Sequence, residues 1–238
     1  MKELGIIIVI LMAGGLVALF YHRAKQRHRR EVRATPLSEA DRSLLQKEVP
    51  LYAALPAEFT KEMDARIQVF LYQVGFEPCG QLEEVTREMQ LIIASQACLL
   101  LLASGYDQFG LLRSVLVYPD AYEVRDELGI KSIRLGESWM SGSVVLSWES
   151  VRQGSRNEED GLNVVIHEFA HQLDQFNGVA DGLPVLKDRK DYPEWASVMR
   201  ASYKTLLERV EKGRRTVLDD YGATNPAEFF AVSTETFF

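Results

Sequence analysis

Two histidines four residues apart are the residues of this sequence best suited to chemistry. The segment His167-Glu168-Phe169-Ala170-His171 follows the pattern H-E-x-x-H. On a helix, this spacing places both imidazoles on one face, where they can bind a single metal ion. Glu168 then lies close enough to act as a general base on a water molecule without binding the metal itself. The pattern predicts a catalytic site for one Zn²⁺ ion per chain.

The main alternative is a pair of core histidines beside an unrelated glutamate. The chain has four histidines, and the two that follow residue 30 are both in the motif. A chance match to the motif is rare in a chain with so few histidines, and the residues before it are apolar, as expected for a buried helix. The sequence therefore favours the metal site and, with it, the hydrolysis of peptide bonds.

Such a site needs a third protein ligand, and the sequence offers two glutamates. A known extension of the motif requires Gly at position 174 and His or Asp at position 177, but the chain has Asp174 and Asn177. Further along, Glu228 stands three residues after Asn225, and Glu235 follows seven residues later on the same helical face. Since a capping role would also explain Glu228, the residues alone leave Glu228 and Glu235 both open as ligands.

Helices around a small sheet are expected to position these residues in an α+β domain. Periodicity and capping residues predict helices at about 38–47, 56–74, 84–103, 158–176 and 192–210, with a last helix from Asn225-Pro226. Strands are predicted at 111–118 and 143–148. We interpret the second strand as an edge that receives an extended substrate, with the residues Ser143, Val144, Val145, Leu146, Ser147 and Trp148.

Asp174, one turn after His171, has two interpretations. Its carboxylate could orient a ligand histidine, as acidic groups around metal sites commonly do. A solvated carboxylate near the end of the helix explains the residue equally well.

A segment of a different kind precedes this domain. Residues 4–21 carry no formal charge over 18 positions, and the basic run HRAKQRHRR follows. As a helix, this stretch is about 27 Å long, which predicts a transmembrane anchor over 1–22, a basic juxtamembrane tether over 23–37 and a domain over 38–238. The positive-inside rule places that domain on the cytoplasmic side of a bacterial-type inner membrane. Binding of the basic run to anionic lipid headgroups would favour the same side.

Charge and cysteine content exclude other classes of protein. Residues 1–33 contain seven Lys or Arg and two acidic residues, a net charge of +5. Because the whole chain has a net charge of −7, residues 34–238 carry −12. An acidic domain argues against direct binding of nucleic acid. Two cysteines, Cys79 and Cys98, are too few for a disulfide framework.

Several separate segments of the chain resemble one known family. They are EVTREMQLIIASQACLLLL, VLVYPDAY, SWESVRQG, DGLNVVIHEFAHQLDQFNGVADGLP and DDYGATNPAEFF. Together they are similar to the Mlc titration factor A family of zinc peptidases. The resemblance implies a zincin-like metallopeptidase fold in which His167, His171 and Glu228 bind zinc. It assigns Glu168 as base and proton shuttle, which leaves Glu235 as a candidate to orient a ligand.

The resemblance also implies roles outside the metal ligands. Tyr221, seven residues before Glu228, corresponds to a tyrosine that donates a hydrogen bond to the oxyanion, although an aromatic that packs a loop would explain it too. Relatives continue beyond the position of Phe238 with a further helical segment, so a shortened domain is expected here. Two classes of function remain, a membrane-anchored peptidase and a binding module that sequesters a partner such as the transcriptional repressor Mlc.

Overall fold

A computed structural model describes residues 2–104, 109–110, 112–125, 131–139, 142–157 and 160–238. Helices make up most of these residues. In chain order they are α1 (Lys2–Ala34), α2 (Glu39–Glu48), α3 (Pro50–Ala53), α4 (Ala57–Gln73), α5 (Arg87–Ser104), α6 (Trp148–Arg156), α7 (Val164–Asp174), α8 (Tyr192–Glu211) and α9 (Pro226–Phe237). The strands are β1 (Gly75–Pro78), β2 (Ser114–Tyr118), β3 (Tyr122–Arg125), β4 (Lys131–Arg134), β5 (Gly136–Trp139) and β6 (Ser143–Ser147).

Four of these strands form a mixed sheet in the order β1-β2-β6-β5. The first three run parallel, and β5 runs antiparallel to β6. Strands β3 and β4 form a separate antiparallel pair. The prediction of a mainly helical α+β chain with a small sheet is confirmed.

The core lies between the sheet and the helices α5 and α7. Val115 pairs with Val144 and Val117 pairs with Leu146, and all four side chains are completely buried. The apolar stretch of α5 packs against them, as expected for a helix that is hydrophobic on nearly every face. Because α7 is embedded in the same core, its position relative to the sheet is fixed by packing on several sides.

Helix α7 begins later than the sequence predicted. Residues 158–159, at the predicted start, lie outside the described residues, and residues 161–163 are not helical. Gly161 adopts a left-handed conformation with φ of +66°, which turns the chain just before the helix. Asn163 then caps the helix, because its Oδ1 atom accepts the backbone N–H of Ile166 at 3.1 Å.

The two predicted strands are present with different limits. Strand β2 begins at Ser114, and Leu111, the predicted first residue, lies outside the described residues. Trp148 was predicted to end a strand but begins α6. The hydroxyl of Ser147 accepts the backbone N–H of Ser150 at 3.3 Å, so this serine ends β6 and caps the helix at once.

The predicted transmembrane anchor and its placement in an inner membrane are wrong. Across the described part of the chain, every helix is too short or too polar to cross a membrane. The uncharged stretch of 18 residues lies at the short end of the ~20 that a spanning helix needs. It also belongs to α1, which continues unbroken through the basic residues to Ala34. There α1 packs on α4, with His28 edge-on to Tyr72 and Arg33 paired with Glu62.

Candidate metal centre

Helices α7 and α9 bring three of the predicted site residues together. His167 and His171 lie one turn apart on α7, and Glu228 lies in the first turn of α9. The Oε2 atom of Glu228 lies 3.1 Å from Nε2 of His167 and 3.2 Å from Nε2 of His171. One donor atom from each residue lies within 4.8 Å of the other two. These three side chains form a candidate metal site.

Two of the three separations between donor atoms in this group match those of a tetrahedral metal site. With bonds of about 2.0–2.1 Å, neighbouring ligand atoms of a tetrahedral site lie about 3.3 Å apart. Both distances measured from Glu228 Oε2 are close to that value. Two imidazoles and one carboxylate also leave a fourth position open, as catalytic sites require. The residues therefore fit a metal ion, and its identity as zinc stays a prediction.

Glu235 contacts the same histidine from the other side. Its Oε2 atom lies 3.1 Å from Nδ1 of His167, while its Oε1 atom accepts the backbone N–H of Asn163. Glu228 and Glu235 are seven residues apart, about two helical turns, so α9 presents both carboxylates to α7. One histidine is thus held at both ring nitrogens by a single helix. The placement of Glu235 suits a residue that orients His167 rather than a ligand that shares the metal with Glu228.

The pKa values of these groups are shifted in opposite directions. Burial disfavours the charged form of His167, but hydrogen bonds to Glu228 and Glu235 outweigh burial and raise its pKa to about 10. Burial also disfavours a charged Glu228, but hydrogen bonds from His167 and His171 outweigh it and lower the pKa of Glu228 to about 2. In these bonds an imidazole Nε2–H donates to the Glu228 carboxylate, so a proton takes the position at which a metal ion would bind.

Glu168 lies beside this group, buried against strand β5. A methyl group at Gly136 would lie 2.7 Å from the Oε1 atom of Glu168, so the absence of a side chain lets the strand approach the carboxylate. Burial raises the pKa of Glu168 to about 7, against the opposing effect of the charges on His167 and His171. A carboxyl group in these surroundings can accept and return a proton near neutral pH.

The strand that borders the site is β5. The prediction that residues 143–148 form an edge of the sheet is wrong. Strand β6 is hydrogen-bonded to β2 on one side and to β5 on the other, which leaves it no free edge. Within the described residues, β5 is one of the two outer strands of the sheet, on the far side from β1. The Nε2 atom of Gln172 donates to Ser138 Oγ at 2.7 Å and to the Trp139 carbonyl at 3.4 Å. These bonds fix β5 beside α7.

Tyr221 lies at the rim of the site. Its ring centre is 6.0 Å from that of His167, and the residue is 49% exposed. It belongs to a short 3₁₀ turn over Asp220–Ala223, which begins where Asp219 Oδ1 accepts the backbone N–H of Tyr221 at 2.7 Å. Tyr221 is therefore close to the metal ligands, while the predicted role at the oxyanion stays a prediction.

Asp174 does not hydrogen-bond to a histidine among the described residues. Its Oδ2 atom accepts the backbone N–H of Gly182 at 2.9 Å. The residue is completely buried, which excludes the interpretation as a solvated carboxylate. Burial raises the pKa of Asp174, partly offset by the hydrogen bond from Gly182.

Three residues that help to build the site were not predicted from the sequence. Asn163 precedes an apolar run, and this signal for a helix start could have identified it as a cap. Gly136 and Gln172 act through contacts between segments about 30 residues apart. Neither position has a local pattern that would have singled it out.

The donor set fits a metallopeptidase-like domain, and the family match agrees with it. The family described as glucose-regulated metallo-peptidase M90 matches residues 23–238, and the chain belongs to this family. The resemblance inferred from the sequence segments is thereby confirmed.

Individual relatives agree with this assignment. The chain is 42% identical over 212 residues to protein slr2042 of Synechocystis sp., with 85% of the chain and 77% of that protein covered. It is 32% identical over 201 residues to Mlc titration factor A of Escherichia fergusonii and of Pectobacterium atrosepticum, with 80% of the chain and 74% of each relative covered.

Proposed function

We propose that this chain is a zinc-dependent metallopeptidase with a zincin-like fold that hydrolyses peptide bonds. The observation that supports the proposal is the convergence of His167, His171 and Glu228 beside the buried carboxylate of Glu168. A bound Zn²⁺ ion would supply a Lewis acid that polarises the scissile carbonyl and lowers the pKa of a water molecule towards ~7.

Three of the protein's own residues would transfer the proton, stabilise the oxyanion and orient a ligand. Glu168 would take the proton from the attacking water and pass it to the leaving amine, a task that suits its position one residue after a ligand histidine. Tyr221, at the rim, would donate a hydrogen bond to the oxyanion of the tetrahedral intermediate. Glu235 would accept the Nδ1–H of His167 and so keep the Nε2 atom of that histidine available to the metal.

Strand β5 is the part of the sheet suited to align a peptide substrate. Among the described residues, no further strand pairs with its outer edge, and an extended peptide can add to such an edge as a further strand. Gly136 on this strand touches Glu168. A peptide on the outer edge would therefore run past the proposed base.

The exchange Glu168→Gln tests this mechanism in the full-length chain. A mixture of unstructured peptides serves as substrate, and new amino termini are measured. We expect turnover to fall about 10²- to 10⁴-fold, as for loss of a general base, while bound zinc stays near one ion per chain. Glu149→Gln, on the exposed side of α6, is the matched control and should keep full activity. Unchanged turnover in Glu168→Gln would refute the assigned role.

A second function is supported by the names of the relatives. Two of them are called Mlc titration factor A, which names a protein that titrates Mlc. On this basis the chain would sequester a repressor protein of the Mlc type, and hydrolysis would not be needed. Calorimetric titration of purified Mlc with the wild-type chain and with Glu168→Gln distinguishes the two functions. Equal binding by both supports sequestration, whereas no binding at tens of micromolar protein rejects it.

A further inference from the structure

The loop that follows α7 returns to the helix that carries Glu228. Asp174, the last residue of α7, is completely buried, and its Oδ2 atom accepts the backbone N–H of Gly182 at 2.9 Å. The last residue of the histidine-bearing helix is therefore bonded to this loop at Gly182. No sequence pattern relates Asp174 to Gly182.

Gly182 in turn lies against the backbone of the first turn of α9. A methyl group at Gly182 would overlap the carbonyl oxygen of Pro226 and would lie 2.8 Å from its carbonyl carbon. Gly182 also has φ of +77°, a conformation that side chains disfavour. Glycine is therefore required here for both backbone conformation and close approach, and the loop directly supports the start of α9.

Hydrogen bonds within the loop make it a firm support. Val179 donates its backbone N–H to Asn177 Oδ1 at 2.9 Å, and Leu183 donates its own to Asp181 Oδ1 at 3.1 Å. The Nδ2 atom of Asn177 donates across the loop to the carbonyl of Leu183 at 3.4 Å. A displacement of Gly182 would therefore move much of the loop.

We propose that Asp174 is a positioning residue for Glu228. By holding Gly182 against Pro226, it sets the separation between the two histidines of α7 and the carboxylate in the first turn of α9. Glu228 follows Pro226 by two residues, and its backbone N–H is bonded to the cap Asn225 at 3.0 Å. A shift of this turn would move the carboxylate away from the imidazoles. The inference rests on the proposed metal site, and it assigns Asp174 to the support of Glu228 rather than to a histidine.

Zinc affinity of the full-length chain, measured by competition with a chelator, tests the proposal. We expect Asp174→Ala to weaken Zn²⁺ binding about 10-fold, as for residues that support a ligand. Asp174→Asn keeps an oxygen that can accept the Gly182 N–H and should stay within about 3-fold of the wild type. Asp188→Ala, an exposed aspartate further along the connection between α7 and α8, is the control. Equal losses in the Ala and Asn variants of Asp174 would overturn the proposal.

A double-mutant cycle separates support of Glu228 from general damage. In a chain that already carries Glu228→Ala, the further exchange Asp174→Ala should leave zinc affinity unchanged, because the residue that it positions is absent. An undiminished 10-fold loss in that background would show that Asp174 acts elsewhere. Gly182→Ala provides a second route to the same displacement and should weaken binding as much as Asp174→Ala or more.

Hydrogen exchange of the metal-free chain gives a readout that does not depend on zinc. The backbone N–H groups of Glu228 and Phe229 are both bonded to Asn225. They should exchange faster in Asp174→Ala than in Asp188→Ala, and equal rates would overturn the proposal. If the wild-type chain bound no zinc, the proposed function would fall, and the exchange rates would still decide whether Asp174 holds α9.

Discussion

The two helices that carry the proposed ligands are held in different ways. Nine of the eleven residues of α7 are buried, between the sheet, α5 and α9, and its two histidines follow one another by a single turn. Glu228 stands in the first turn of α9, half-buried, next to a cap residue, Asn225, that is exposed. The spacing of the histidines is a property of any helix, whereas the distance to Glu228 depends on tertiary contacts.

This difference suggests that the site has a rigid half and an adjustable half. On α7, displacement of either histidine would require movement of a helix that is embedded in the core. On α9, the position of the first turn depends on the cap, on the loop through Gly182 and on the pairing of Glu235 with His167. Exchange of the α9 carboxylates, Glu228 and Glu235, should therefore change metal affinity with little loss of folding, and this expectation can be tested.

Removal of Glu228 tests this comparison with the largest expected change in zinc affinity. If α7 could hold the metal by itself, Glu228→Ala would bind zinc as tightly as the wild type. We expect affinity to fall about 10²- to 10³-fold, because the ~10–16 kcal/mol of a structural zinc site is shared among few ligands. Chelator competition measures the loss, with Glu194→Ala on the exposed side of α8 as control. Affinity within 3-fold of the wild type would exclude Glu228 as a ligand.

The same difference explains how much of the site could be predicted from the sequence. The residues of α7 were recognisable because H-E-x-x-H encodes a local geometry. Glu228 could not be distinguished from Glu235 by spacing, since both lie on one face of α9, and the family resemblance was needed to choose. Contacts between distant segments, such as Gly182 with Pro226, leave no local pattern at all.

The fold, like the site, could be predicted only in part from the sequence. The helices with clear caps and apolar stripes were predicted, as was the burial of α5. The order of the strands in the sheet, β1-β2-β6-β5, was not predicted, because it depends on pairing between distant segments. For this reason β6 was taken for an edge, and the short strand β5 was missed. A sequence of four residues, Gly136–Trp139, is too short for a periodic signal.

Exchange of Glu235 for glutamine tests the support that α9 gives to His167. The substitution keeps the shape but removes the charged acceptor for the Nδ1–H of the imidazole. We expect zinc affinity to fall about 10- to 100-fold, less than for Glu228→Ala, as is usual for residues that orient a ligand. Thr236→Val, one residue further along α9, should leave affinity unchanged. A loss as large as that of Glu228→Ala would instead indicate that Glu235 binds the metal.

The two capping asparagines allow a test with a smaller expected effect, which is measured as the free energy of unfolding of the metal-free chain. Asn225 caps α9 at the surface, so Asn225→Ala should cost about 1 kcal/mol. Asn163 caps α7 and also donates its Nδ2–H to Gln96 Oε1 at 2.6 Å inside the core. Asn163→Ala should cost about 2–3 kcal/mol, because the buried Gln96 oxygen loses its partner. Urea denaturation measures both, and equal losses would contradict the view that α7 is the more firmly held helix.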